Sequence, residues 1–115
     1  MAQLHRLKKN KDYRRVYKSG RTVADNNIVL FVLANKYGLC RIGFTVSKKV
    51  GKAVIRNKVR RWFKEACRSH CKDFRDGFDY VILARKDIVE KNYQAVEKSL
   101  MILLRKVVIA KGLKP

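Results

Sequence analysis

From Arg56 onward the sequence sets a basic residue on each successive turn of a would-be helix. Arg56, Arg60, Lys64 and Arg68 recur at intervals of four, Asn57 and Arg61 fall in or beside the same sector, and Lys58 sits to one side. The chemistry such a row can do is anion recognition. A guanidinium stays charged and its planar fork bonds two phosphate oxygens at once. Ile55, Val59, Trp62 and Ala66 follow an i, i+4, i+7, i+11 stripe on the other side, with Phe63 beside them, so the back of the helix can be clamped to a core. The alternative is a solvated charged face. Solvated helices normally mix signs to gain i, i+4 pairs, and like charges at that spacing repel. Here no acid stands between Asn26 and Glu65, which favours a bound polyanion.

A second group is aromatic. Tyr13 and Tyr17 share one side of a short segment in which Arg14, Arg15 and Lys18 interleave. Aromatics among cations suit a single-stranded nucleic acid, because stacking is worth about 1–3 kcal/mol per base and tolerates any sequence. Paired aromatics on a short helix also serve as core, and spacing leaves both uses open. Phe31, in a later apolar run, poses the same choice.

Groups that could do covalent or acid–base chemistry are sparse. Gly51-Lys52 is followed by Ala53, where a phosphate-binding loop needs Ser or Thr, and no glycine stands at the required upstream spacing. Cys67, His70 and Cys71 cluster and could hold zinc, but a fourth ligand is not evident. His5 and His70 are expected to lack a neighbouring carboxylate, so no catalytic apparatus is expected in the chain itself.

The whole composition points the same way. In 115 residues there are 29 Lys and Arg against 9 Asp and Glu, a net charge of +20, while 47% of residues are apolar. That apolar content supports one packed domain over 1–115, and the excess charge repels itself unless a polyanion relieves it. Seven of the nine acids lie at Glu65 or later, so the field is concentrated on one part of the molecule. No apolar run is long enough to span a bilayer and no charged-then-apolar segment opens the sequence. A cytosolic location and no membrane partner are expected. Three cysteines, Cys40, Cys67 and Cys71, show no disulfide framework.

The elements that must position these groups follow from local pattern. Asn10 to Ser19 predicts a short helix, with Asn10 as N-cap, Asp12 in the first turn and Gly20 as the stop. After the turn Asp25-Asn26-Asn27, Ile28–Ala34 predicts a strand, Asn35–Gly38 a hairpin loop, and Leu39–Ser47 a second strand. In that second strand Cys40, Ile42, Phe44 and Val46 alternate with Arg41, Gly43, Thr45 and Ser47, leaving a polar face of low relief that is either solvated or lies under a ligand. Ala53 to about His70 is the basic helix, Phe78–Ala84 a buried strand, and Asn92 to Lys111 a final helix closed by Gly112. Helix, strands, helix, strand, helix implies an α+β fold. Its expected form is a mixed, mainly antiparallel four-stranded sheet carrying three helices.

The stretch Ser47-Lys48-Lys49-Val50-Gly51-Lys52-Ala53-Val54-Ile55-Arg56-Asn57-Lys58-Val59-Arg60-Arg61 resembles the signature of the bacterial ribonuclease P protein family. Arg6 to Gly20 is similar to that family's opening helix, and Tyr80–Arg85 and the last helix fall where the family has them. The resemblance covers nearly the whole chain. It implies a two-layer αβ sandwich with a left-handed βαβ crossover, against the usual hand. It also implies an accessory role beside a large catalytic RNA that removes the 5′ leader of precursor tRNA, with magnesium held by RNA and substrate. By the same resemblance Arg56, Asn57, Lys58, Arg60, Arg61, Lys64 and Arg68 would face the catalytic RNA. Tyr13, Tyr17, Phe31, Arg41, Ser47, Lys48 and Lys49 would face the leader, and the protein alone would be monomeric. Tyr13 and Tyr17 stand where phenylalanine is common, Lys58 replaces an arginine, and near Ile109 and Ala110 an aromatic of some relatives is missing.

Three other readings compete. A ribosomal protein or RNA chaperone would bind leaderless and leader-bearing tRNA equally. A helix-turn-helix DNA binder needs two helices joined by a short turn, whereas this basic helix lies between strands. A membrane-surface protein would need the apolar side of the basic helix, which the core claims.

Overall fold

The apolar run Phe78–Ala84 forms the middle strand of the sheet and is largely buried on both faces, as its continuous hydrophobicity requires. A computed structural model describes residues 4–111, with side-chain surroundings as far as position 107. Gly112 and the side chains of Ile109 and Ala110 lie outside the described residues. In chain order the elements are β1 (Leu4–Arg6), α1 (Asn10–Ser19), β2 (Arg21–Ala24), β3 (Ile28–Ala34), β4 (Cys40–Thr45), α2 (Ala53–Ser69), β5 (Phe78–Ala84) and α3 (Tyr93–Lys111). Short 3₁₀ turns at Cys71–Asp73 and Lys86–Glu90 precede and follow β5.

The sheet departs from expectation in three ways. It has five strands, in the order β1-β4-β5-β3-β2, not four. The two edge strands, β1 of three residues and β2 of four, are too short to carry a period-2 signal. Its pairings divide evenly: β1–β4 and β4–β5 are parallel, β2–β3 and β3–β5 antiparallel, so it is not mainly antiparallel. Nor is Asn35–Gly38 a hairpin loop, because β5 enters between β3 and β4. The Asn35 N–H donates to Gly77 O at 2.8 Å and the Gly77 N–H to Leu39 O at 3.0 Å, stitching both neighbours to the start of β5. The hairpin instead joins β2 to β3. There the Asp25 carboxylate accepts from the N–H groups of Asn27 (2.8 Å) and Ile28 (3.0 Å).

The main core lies between one face of the sheet (Ile28, Leu30, Val32, Ile42, Tyr80, Ile82) and two helices, α2 through Val59 and Phe63 and α3 through Val96, Leu100 and Leu103. Each such side chain stabilises the fold by about 1.5–3 kcal/mol through burial. The opposite face is not bare. Val81, Phe31 and Leu33 point that way and are covered by Val16 and Tyr13 of α1, together with Leu7. The two-layer expectation therefore holds for α2 and α3, and α1 adds a partial third layer.

Two helix ends differ from the sequence reading. Lys9, not Asn10, occupies the N-cap of α1, and its carbonyl accepts from Asp12 N–H (3.0 Å) and Tyr13 N–H (3.2 Å). Gly20 closes α1 in an extended conformation. Glycine is needed there because a Cβ would run into the Val16 carbonyl, not because of a left-handed turn. In α2 the buried face centres on Val59, Phe63, Ala66 and Cys67, with Ile55 and Trp62 half-buried at its margins.

Candidate nucleic-acid interface

The low-relief strip on β4 is occupied by the protein's own Tyr13. A Cβ on Gly43 would stand 2.5–2.7 Å from the Tyr13 hydroxyl and ring, so the absence of a side chain there lets the ring lie on the strand. The Tyr13 hydroxyl donates to Leu7 O at 3.2 Å, and burial pushes its pKa above the ordinary tyrosine value. One turn on, Tyr17 is 36% exposed and its hydroxyl pairs with Thr45 Oγ1. Its ring meets Phe31 edge-on at 5.0 Å and is tilted against Tyr13 at 6.4 Å. The three aromatics thus form one row, in which Tyr13 and Phe31 pack against the core and Tyr17 keeps an exposed edge. Beside the row a groove of about 450 Å³ is lined by Tyr13, Arg14, Tyr17, Thr45 and, from the facing helix, Arg60. Cations over an aromatic floor can hold a stacked single strand by its phosphates.

Arg41 was expected on this surface and is committed elsewhere. Its Nε and Nη2 donate to the Asp79 carboxylate at 2.8 and 2.7 Å, and its side chain is only 15% exposed. Asp79 is fully buried and also accepts from Arg15 Nη2 (2.7 Å) and Asn35 Nδ2 (2.8 Å). Asp12 of α1 lies 3.6 Å from Arg41 Nη1, and the Tyr37 ring sits under the guanidinium at 4.4 Å. Hydrogen bonding to Asp79 raises the already high Arg41 pKa further. This network ties α1, through Arg15, to the central strand and sets where Tyr13 and Tyr17 stand. Sequence reasoning missed it, although one signal was present: Asp79 is the only ionisable acid within the apolar run Phe78–Ala84.

The cationic front of α2 is open to solvent over most of its length. Asn57, Lys58, Arg61, Lys64 and Arg68 are exposed, and Arg56 and Arg60 are half-buried. Several heads are aimed by neighbours. Asn57 Oδ1 accepts from Arg60 Nη1 at 3.0 Å, Gly51 O accepts from Arg56 Nε at 3.2 Å, and Lys58 Nζ lies 5.1 Å from the Trp62 ring centre. Asn57 is thus an orienting residue inside the helix and not a cap. Arg68 differs from the rest of the stripe, because Glu65 takes it as a two-point pair at 2.5 and 3.2 Å. Ser47, Lys48 and Lys49 are exposed in the turn between β4 and α2, directly following Thr45 and Val46, which line the groove.

Cys67, His70 and Cys71 do not assemble as ligands. His70 has the carboxylate neighbours the sequence reading denied it, Asp73 at 3.4 Å and Glu97 at 3.0 Å, and it joins the end of α2 to α3. Among the described residues no three His, Cys, Asp or Glu side chains converge as a metal site.

An α+β domain with a solvent-open cationic helix beside a cationic, aromatic-floored groove belongs to the class of RNA-binding proteins. The family model described as Ribonuclease P matches residues 1–108. The ribonuclease P protein component of Pelotomaculum thermopropionicum is 47% identical over 106 residues, 92% of this chain and 95% of that protein. Two solved structures are similar. The Staphylococcus aureus RNase P protein has 32% identity and a TM-score of 0.80, covering 90% of this chain and 94% of that one. The Thermotoga maritima protein has 30% identity and a TM-score of 0.80, covering 89% and 96%. The chain belongs to the ribonuclease P protein family. It is the accessory protein subunit of the ribonucleoprotein endonuclease that matures the 5′ end of tRNA.

Proposed function

We propose that the protein joins catalytic RNA to substrate through two surfaces. Arg56, Asn57, Lys58, Arg60, Arg61, Lys64 and Arg68 meet the ribonuclease P RNA. The 5′ leader of precursor tRNA threads past Tyr13 and Tyr17, with Phe31 supporting Tyr17 from beneath and Ser47, Lys48 and Lys49 meeting its phosphates. Arg41 serves this surface indirectly, by holding α1 through Asp79 and not by touching the leader. Arg60, which lines the groove as well as standing in the α2 stripe, lies where the two RNAs converge. The observation that carries this reading is the groove itself, aromatic on its floor and cationic on both walls, with its floor held by Gly43 and Thr45.

The mature product lacks the leader, so binding there separates substrate from product. Magnesium belongs to RNA and substrate in this scheme, and the surfaces the protein offers are cationic. What the side chains contribute is phosphate neutralisation, which lowers the cation concentration needed for docking. The βαβ unit β4–α2–β5 takes the left-handed crossover, and the protein acts as a monomer in the cytoplasm, where its partners are. No helix of the described residues is long and apolar enough to cross a membrane.

The test is reconstitution with the cognate ribonuclease P RNA at low magnesium, comparing leader-bearing with leaderless tRNA. Cleavage no better with the protein than without it would end the proposal. Equal affinity for both tRNAs would leave a general RNA chaperone in its place. If about six single-strand phosphates are contacted, log Kd plotted against log salt has a slope of magnitude near 4.

A further inference from the structure

A second cavity, of about 350 Å³, opens between β1 and the C-terminal half of α2, on the other side of Phe44 from the leader groove, which that residue also lines. Its floor is apolar, made by Leu4, Ile42, Phe44 and the Cys67 thiol. The rim is cationic: Arg6 from β1 faces Lys64 and Arg68 from α2. The Arg6 guanidinium carbon lies 5.2 Å from the centre of the Phe44 ring, so one wall is a stacked cation–aromatic pair. The half-buried Cys71 thiol stands at the edge, on the turn that follows α2.

We propose that this cavity receives an unpaired nucleobase of the catalytic RNA, extruded from its helix and flanked by phosphates on Arg6 and Lys64. The inference rests on the assignment of the α2 front, Lys64 and Arg68 included, to that RNA, and it adds a pocket with Arg6, Phe44 and Cys71 that the assignment does not contain. Three observations select a nucleotide. An apolar floor takes a flat ring, the guanidinium–phenyl wall offers a surface of the kind unstacked bases use, and the three rim cations match a phosphate on either side. Continuity selects the catalytic RNA over the leader, because the cavity's α2 cations, Lys64 and Arg68, are the last two of the stripe, whereas the leader groove takes only Arg60 from it, one turn earlier and across Phe44. Arg68 is held by Glu65, so Lys64 and Arg6 carry the phosphate contacts and Arg68 closes the rim.

Cys71 provides the probe. Cys40 and Cys67 are buried and their thiols are pushed up in pKa by that burial, Cys40 to about 12. Iodoacetamide should therefore modify Cys71 first in the folded protein, followed site by site by peptide mass. Cognate ribonuclease P RNA is expected to slow Cys71 alkylation by about tenfold or more, the loss of access that base insertion imposes. A single-stranded leader oligonucleotide should not slow it. Cys71→Trp, which fills the mouth, should weaken binding of that RNA about tenfold, in the range expected for one lost base-stacking contact. Base-specific chemical probing should then show one unpaired nucleotide protected by the parent protein and exposed with the variant. An unreactive Cys71 in the free protein, or one alkylated equally fast with and without RNA, would overturn the proposal. So would protection by the leader alone, or identical probing patterns with both proteins. If Arg61→Ala weakens RNA binding while Cys71 is unprotected, the pocket fails and the α2 surface stands. If Arg61→Ala also has no effect, both fail.

Discussion

Replacing Asp79 with asparagine tests the claim that the groove is held open from beneath. The carboxylate is fully buried and accepts four hydrogen bonds of 2.7–2.8 Å, two from Arg41, one from Arg15 and one from Asn35. Asparagine keeps the shape and one acceptor, but it sets an NH₂ group against donors and removes the charge that Arg41 hydrogen-bonds. Asp12, at 3.6 Å, is then the nearest counter-charge. Breaking a buried pair by removing one partner costs about 3–5 kcal/mol. Arg15 is 41% exposed and can recover hydration, which places the expected loss at the lower end, about 3 kcal/mol. For a domain of this size that corresponds to a fall in Tm of roughly 12 °C. The assay is urea unfolding followed by circular dichroism at neutral pH, with a lower midpoint and an unchanged slope expected. A double-mutant cycle with Arg15→Ala separates the tie to α1 from the rest of the network. The parent should lose stability on Arg15→Ala, and the Asp79→Asn protein should lose clearly less. A total loss under about 1 kcal/mol, or an Arg15→Ala effect of equal size in both backgrounds, would refute the claim that this carboxylate anchors α1.

Three further outcomes follow from the same geometry. Tyr17→Ala removes the exposed member of the aromatic row and should cost about 1–3 kcal/mol of the preference for leader-bearing over leaderless tRNA, measured by competition binding; an unchanged ratio would remove the leader from this groove. Gly43→Ala places a methyl 2.5–2.7 Å from the Tyr13 hydroxyl and ring, so it should destabilise by about 1–3 kcal/mol through overpacking and reduce leader preference, whereas Gly38→Ala, strained by the positive φ there though nothing lies within 4 Å, should lower stability and spare leader preference. Stability should decline in alkali: burial raises the Cys40 thiol from 9.0 to about 12 and the Tyr80 hydroxyl from 10.0 to about 12. Above pH 9 the unfolded chain then loses protons that the native state keeps, and the difference favours unfolding up to about pH 12. Cys40→Ala should flatten the fall between about pH 9 and 10 in urea titrations, and an unaltered slope would assign it elsewhere.

How far the sequence disclosed this molecule depends on whether a residue's partner is local. The basic front of α2 and its apolar back are periodic within one element, and the helix expected from Ala53 to about His70 runs Ala53–Ser69 with His70 at its C-cap, its buried centre displaced toward Phe63 and Cys67. Phe78–Ala84 was legible for the same reason, since a strand buried on both faces announces itself by continuous hydrophobicity. Pairing is not local. Nothing between Ala34 and Cys40 says that a strand some forty residues later will enter between its neighbours, so Asn35–Gly38 looked like a hairpin. Arg41 shows the same limit at the site. Alternation put it on the correct face beside Gly43 and Thr45, but only the parallel register pairing Arg41 with Asp79 turns a phosphate ligand into a buried strut. The two surfaces therefore answer to different kinds of information. The α2 face depends on charges that, Arg68 apart, have no acidic partner among the described residues and stand at least partly in solvent, and salt should weaken it directly. The groove proposed for the leader depends for its shape on a desolvated ion pair that screening scarcely reaches, so the fold around Tyr13 and Tyr17 should survive at salt concentrations that abolish the proposed RNA binding.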